Sequence, residues 1–297
     1  MVRRKRTGTH RVAWHIVLAV CALAVRLPAG VSSAAEPPVR VLRDVEYVRR
    51  ADGALRADIY LPTTPAPHPC VLMIHGGAWL AGVKEHTAWH SRQLAAAGLA
   101  AVAIDYRLAP MHRFPAQLDD CRAALVWLAE QADRYELDSD RLAVCGYSAG
   151  GHLACLLATT VMSDQRPSVE LSAVVAGGAP CEFREEPPAS RRLAFWLGGS
   201  RAEQPEAYAA ASPARFVTAQ CPPVFLYHGE VDRLVPVAQP RVLLDVLHDV
   251  GVSAELHVVR RVGHIGAYWD DAAFQRVIEF LQTQLSVSTE SSGETTR

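Results

Sequence analysis

Val144–Ala158 reads VCGYSAGGHLACLLA, a strand-like apolar run, a serine between two glycines, and a helix-like run. The spacing Gly146-x-Ser148-x-Gly150 matches G-x-S-x-G, in which a sharp strand-to-helix turn exposes the serine hydroxyl. Glycine is required on both sides because side chains there would collide with the neighbouring strand and helix. The helix N-terminus supplies free backbone N–H groups and the positive end of a dipole. The plainer alternative, a serine that only caps a helix, fits the five residues taken alone. The strand–turn–helix context favours a nucleophile.

A serine hydroxyl needs a base to take its proton, and the base needs an acid to orient it. YHGEVDRLVP ends a strand-like run and offers Asp232 in a loop, with Glu230 as the rival acid; VVRRVGHIGAY follows the next strand and offers His264. The chain order Ser148, Asp232, His264 is that of the α/β-hydrolase fold rather than of other serine-hydrolase arrangements. His152, one helical turn beyond Ser148, reads as a packing or hydrogen-bonding residue, and His228 as a support for the acid loop. In MIHGGAW a strand ends at His75, Gly76 and Gly77, so backbone N–H groups can face a cleft and hold developing negative charge. An ordinary glycine turn is the alternative reading of that stretch.

Outward from these sites the chain alternates strand and helix. Val41–Val48 and Leu55–Leu61 read as strands, followed by strands in CVLMIHGG, LAAVAIDYR, RLAVCGY, LSAVVAGGA, PPVFLYHGE and SAELHVVR. Helices are expected from Ala88 to Ala97, Pro115 to Ala132, Ser148 onward, Val237 to Val250 and Gly266 to Leu285. This pattern predicts an α/β class fold, a mostly parallel central sheet flanked by helices with an antiparallel edge. Reactive side chains of such a sheet gather beyond the carboxyl ends of its strands.

The first 35 residues differ from the rest. Arg3, Arg4, Lys5, Arg6 and Arg11 precede an apolar run from Ala13 to Val25, and Ser33 and Ala35 stand at the −3 and −1 positions of a cleavage site. This is the layout of a secretory signal peptide, with an uncleaved anchor as the alternative. Twin-arginine export and lipidation at Cys21 fit less well. The expected organisation is therefore residues 1–35 as signal peptide, 36–285 as one catalytic domain and 286–297 as a disordered tail. The product is expected to be secreted or periplasmic, with no stable membrane span after cleavage.

The leader holds 6 of the 30 Lys and Arg residues and none of the 31 Asp and Glu, so the remainder carries 24 basic against 31 acidic residues, a net of −7. Nucleic acid is a poor partner for such a surface, because phosphate contacts need clustered cations. Cys70, Cys121, Cys145, Cys155, Cys181 and Cys221 are scattered without a C-x-x-C pair, so no metal site is expected. An exported chain could carry one disulfide, but spacing does not say which.

With these residues in hand, the chain resembles α/β-hydrolases of the carboxylesterase and lipase group that carry an H-G-G-G-type oxyanion motif, and within them the hormone-sensitive-lipase-like and feruloyl- and acetyl-esterase-like branches. HGGAW, DYRLAPMHRFPAQLDDCRAALVWL, RLAVCGYSAGGHLACLLA, LGGS, HGEVDRLVP and VGHIG carry the resemblance over nearly the whole catalytic domain. It implies Ser148 as nucleophile, Asp232 as acid, His264 as general base, and the backbone N–H groups of Gly77, Ala78 and Ala149 as oxyanion donors. Ala78 replaces the family's third glycine; its N–H survives, but its methyl would narrow the acyl pocket. Arg107 and Asp120 read as scaffold.

The large N-terminal helical cap of lipase-like relatives has no counterpart here, so the cap is expected to be small or absent. Cover can come only from the segment Cys181–Ser212, where Phe195, Trp196 and Tyr208 either contact substrate or simply pack. Trp79 is the better candidate for substrate binding. The expected activity is cofactor-free hydrolysis of short-chain acyl esters on small-molecule or carbohydrate substrates, acetyl or feruloyl groups on polysaccharide among them. The same triad also serves an arylformamidase or a peptidase-type amide hydrolase. A non-catalytic binding module is the remaining alternative, and it would normally show a broken triad.

Overall fold

Strands covered on both faces read as unbroken apolar runs, and that rule accounts for the centre of the molecule. The computed structural model describes residues 39–161 and 169–286. The expected signal peptide lies outside the described residues, as do residues 287–297 of the expected tail; Ser286 is the last residue of a helix. Among the described residues eight strands form one sheet: β1 (Arg40–Arg50), β2 (Gly53–Leu61), β3 (His68–Ile74), β4 (Ala100–Ile104), β5 (Leu137–Tyr147), β6 (Ala173–Gly177), β7 (Val224–Gly229) and β8 (Ala254–Val259). Their order across the sheet is β1-β2-β4-β3-β5-β6-β7-β8. β1 and β2 form the antiparallel edge, and β3 to β8 run parallel.

Alternate residues of β3 serve two cores. Cys70, Leu72 and Ile74 join the layer of α2 (Ala116–Gln131), α3 (Ala149–Val161) and α6 (Ala238–Asp249), whose Leu118, Leu125, Leu153 and Leu247 are buried. Val71 and Met73 face α1 (Ala88–Ala96) and α8 (Asp271–Ser286), represented by Leu94, Phe274, Val277 and Leu281. The six cysteines of the described chain are buried thiols with no disulfide among them. No helix among the described residues is long and apolar enough to cross a membrane.

Because β3 to β8 are parallel, their carboxyl ends share one edge, and the loops leaving Ile74, Tyr147, Gly177, Gly229 and Val259 converge there. The segment after β6 folds over that edge with two short helices, α4 (Ala194–Leu197) and α5 (Pro205–Ala210). Gln239 of α6 holds the start of this cover, its Oε1 accepting the N–H groups of Cys181 and Glu182 at 2.8 and 2.9 Å.

The last helix departs from expectation: Gly266–Leu285 is not continuous. α7 (His264–Tyr268) ends before Asp270, whose carboxylate accepts the N–H of Ala273 at 2.8 Å and starts α8. An acidic side chain that satisfies a free helical N–H is a strong N-cap and competes with propagation from the preceding turn.

Asp120 is a scaffold residue, as its motif suggested. Its oxygens accept the Arg107 backbone N–H (3.0 Å), Arg107 Nε and Nη2 (2.8 and 2.9 Å) and Arg50 Nε (3.0 Å), joining α2 to the end of β1 and the loop after β4. Asp120 is fully buried while both arginines keep partial access to water. Asp120→Ala is therefore expected to lower unfolding stability by about 3 kcal/mol, the low end for breaking a buried pair. Urea denaturation at neutral pH measures it.

Candidate active site

The turn at Ser148 is fixed by a close approach of backbones. A Cβ on Gly150 would sit 2.0 Å from the Ile74 carbonyl oxygen at the end of β3, and one on Gly146 would sit 2.3 Å from the backbone of Gly150. Only hydrogen fits at either position. Ser148 itself has φ +56°, a left-handed conformation that non-glycine residues rarely adopt. Its N–H donates to the Gly177 carbonyl at 2.7 Å and its carbonyl accepts the His152 N–H at 2.9 Å, so strand end and helix start hold the strained residue between them.

The acid loop leaves β7. Asp232 is buried and every oxygen has donors: Oδ1 accepts the N–H groups of Leu234 and Val235 at 2.8 and 2.9 Å. Oδ2 faces His264 Nδ1 at 2.6 Å and His228 Nε2 at 3.3 Å. Burial alone would raise the Asp232 carboxyl, but the hydrogen bonds from His228 and His264, the charge of His264 and the Val235 N–H outweigh it and hold the group well below the usual carboxylate range. A carboxylate only accepts, so Nδ1 of His264 carries the proton in the neutral ring and Nε2 keeps its lone pair. Glu230, the rival acid, is exposed and accepts the Arg261 N–H at 2.8 Å.

His264 opens α7 directly after Gly263, and its carbonyl accepts the hydroxyl of Tyr147, the residue preceding Ser148. The Tyr147 and His264 ring centroids lie 5.1 Å apart. Tyr147 thus ties the histidine loop to the serine turn, a link that nothing in G-x-S-x-G signals. His228 supports the acid loop as expected, with Nε2 2.8 Å from the Val235 carbonyl.

Ser148, His264, Gly77, Ala78 and Ala149 line one cavity of about 470 Å³. Gly77 has φ +122°, and a Cβ there would fall 1.8 Å from the Ala81 carbonyl oxygen. Ala78 and Trp79 follow at φ +54° and +59°, so the loop after β3 is strained over two non-glycine residues. Trp79 borders the cavity yet is only 4% exposed. Its indole stacks on Trp196 with centroids 3.8 Å apart, and its Nε1 donates to His152 Nδ1 at 3.3 Å. His152 is buried, and its Nε2 lies 2.7 Å from the Ala211 carbonyl; burial lowers its pKa to about 4, so it is a neutral hydrogen-bonding residue as its position suggested.

The cover segment divides the roles expected of it. Phe195 lines the cavity, together with Phe183. Trp196 and Tyr208 are fully buried packing residues, and Trp196 Nε1 donates to Gln117 Oε1 at 3.0 Å. Arg192 and Arg233 also line the cavity and were not singled out by sequence.

A serine on a strained strand-to-helix turn, with a carboxylate-bound histidine at the same edge of a parallel sheet, defines an α/β-hydrolase. The chain belongs to the BD-FAE family, which it matches over residues 57–247. It is 32% identical to esterase LipC of Mycobacterium tuberculosis over 279 residues, which cover 84% of this chain and 68% of LipC. Over 118 residues it is 42% identical to carboxylesterase NlhH of the same species, covering 39% of this chain and 36% of NlhH. A solved truncated form of a carbohydrate esterase from gut microbiota superimposes with a TM-score of 0.77 at 25% identity, covering 85% of this chain and 99% of that one. By family and fold the protein is a carboxylic ester hydrolase.

A carboxyl whose folded pKa is depressed contributes stability that is complete above its unfolded value and is lost as pH falls through the folded value. The stability gap between the native protein and Asp232→Asn, from urea unfolding, is expected to shrink as pH falls below about 4.

Proposed function

We propose that the protein is a serine esterase acting through Ser148, His264 and Asp232. One observation carries this reading: the 2.6 Å contact between Asp232 and His264 Nδ1, with His264 and Ser148 lining the same cavity. Ser148 Oγ attacks the ester carbonyl carbon while His264 Nε2 takes the hydroxyl proton, and Asp232 stabilises the imidazolium. The carbonyl oxygen becomes an oxyanion facing the N–H groups of Gly77, Ala78 and Ala149. Each such donor is worth about 3–4 kcal/mol in the transition state. The intermediate collapses with transfer of the imidazolium proton to the leaving alcohol. Water, deprotonated by His264, then attacks the acyl-serine, releasing the acid and restoring Ser148.

The substrates we infer are short-chain acyl esters, with acetyl or feruloyl groups on polysaccharide as the natural class. The methyl of Ala78 at the cavity wall and the short cover over the sheet edge support a small acyl group on a larger alcohol. The likeness to a solved carbohydrate esterase supports the sugar-borne alcohol. Export belongs to the same reading, supported by the basic lead and apolar run of residues 1–35.

The native protein is expected to hydrolyse 4-nitrophenyl acetate and to release acetate from acetylated xylan. Ser148→Ala and His264→Ala should each lower kcat by at least about 10⁴-fold without loss of fold. Steady-state rates, with circular dichroism to verify folding, decide the matter; full turnover by Ser148→Ala would exclude the proposed nucleophile.

A further inference from the structure

We propose that Arg233 recognises a carboxylate carried by the ester substrate at the cavity wall. The inference rests on the ester-hydrolase reading of this cavity and adds a substrate class to it: esters with an apolar body and one anionic group.

Three formally charged side chains other than the His264 imidazole line the cavity: Glu186, Arg192 and Arg233. Glu186 and Arg192 neutralise each other in an ion pair. The other arginines of the cover are likewise engaged: Arg184 pairs with Glu182, Arg191 with Glu203, and Arg201 Nε donates to the Glu186 carbonyl. Arg233 has no ion pair among the described residues. Its neighbour Asp232 does not supply one: that carboxylate is turned to the N–H groups of Leu234 and Val235 and to Nδ1 of His264. Glu230 is engaged by the Arg261 N–H.

The residues lining the cavity therefore carry a formal net charge of +1, contributed by Arg233, in a chain whose residues after the leader carry a net charge of −7. The local sign opposes the global one. Phe183, Leu193, Phe195 and Ile265 supply apolar lining for the rest of a ligand. A guanidinium is suited to a carboxylate because its fork of N–H donors matches both oxygens. Arg233 is exposed, so water and salt screen it, and the discrimination it gives is modest and salt-dependent. Its attachment beside Asp232, whose loop is pinned by two backbone hydrogen bonds, anchors the root of the side chain at the cavity wall and leaves the guanidinium free to reach a ligand.

The carboxylate can sit on the acyl or the alcohol side, and two matched pairs distinguish these. Mono-4-nitrophenyl adipate against 4-nitrophenyl hexanoate tests the acyl side, and 4-acetoxybenzoate against its methyl ester tests the alcohol side. For the purified protein at low ionic strength, the ratio of kcat/KM for the anionic ester to that for its neutral partner is expected to fall about three- to fivefold in Arg233→Gln, in one pair, mainly through KM. Arg233→Lys should retain part of the ratio, and sodium chloride should lower it in the native protein but not in Arg233→Gln. An unchanged ratio in Arg233→Gln for both pairs would overturn the proposal. Absence of neutral-ester hydrolysis by the folded native protein would instead overturn the esterase reading beneath it.

Discussion

The site depends on how closely three pieces of backbone approach at the end of the central strands. β3 and β5 are neighbours in the sheet, and the helix that follows β5 must start against the last carbonyl of β3. The gap leaves no room for a methyl at Gly150, and the turn leaves none at Gly146. That contact forces Ser148 to φ +56° and puts its side chain beside the loop leaving β3. The amide donors proposed for the oxyanion and the proposed nucleophile therefore meet because two adjacent parallel strands end together. Neither needs a separate device to find the other.

Strain of this kind persists only where the surroundings over-determine it. Ala78 and Trp79 occupy left-handed conformations, and the Trp79 carbonyl accepts the Ala109 N–H at 2.8 Å while its indole is held between Trp196 and His152. Trp196 belongs to the cover over the sheet edge and is in turn bonded to Gln117 of α2. The cover thus does two jobs: Phe195 and Phe183 line the cavity, and Trp196 braces the loop after β3 by stacking on Trp79. Asp232 accepts the N–H groups of Leu234 and Val235 on one oxygen and Nδ1 of His264 on the other, which keeps it ionised and fixes the His264 ring. The hydroxyl of Tyr147 joins the serine turn to the histidine loop by bonding to the His264 carbonyl.

Much of this was legible in the amino-acid sequence because it obeys local rules. G-x-S-x-G after an apolar run specifies a turn whose geometry is written in five residues, and the order Ser148, Asp232, His264 follows from the order of strands in the sheet. The choice of Asp232 over Glu230 agrees with the loop, since the backbone N–H groups of Leu234 and Val235 fold back onto a side chain two and three residues earlier. What was not legible depends on contacts between distant segments. Trp79 reads as a cleft residue from its neighbours in sequence, but its stacking partner lies 117 residues along the chain, at Trp196. Lys84, which no motif marks, is buried in the loop after β3 and pairs with Asp44, Asp58 and Glu85. The break between α7 and α8 comes from the cap at Asp270, a competition that helical periodicity does not register.

The central claim is that residue 148 is the group made reactive by this arrangement, and covalent trapping tests it without assuming any substrate. A fluorophosphonate probe reacts with an activated serine hydroxyl, and mass spectrometry of the digested protein locates the adduct. The structure predicts one adduct per chain, on the peptide that contains Ser148, formed far more slowly when His264 or Asp232 is replaced. A folded native protein that stays unlabelled, or that carries the adduct on another serine, would contradict the account.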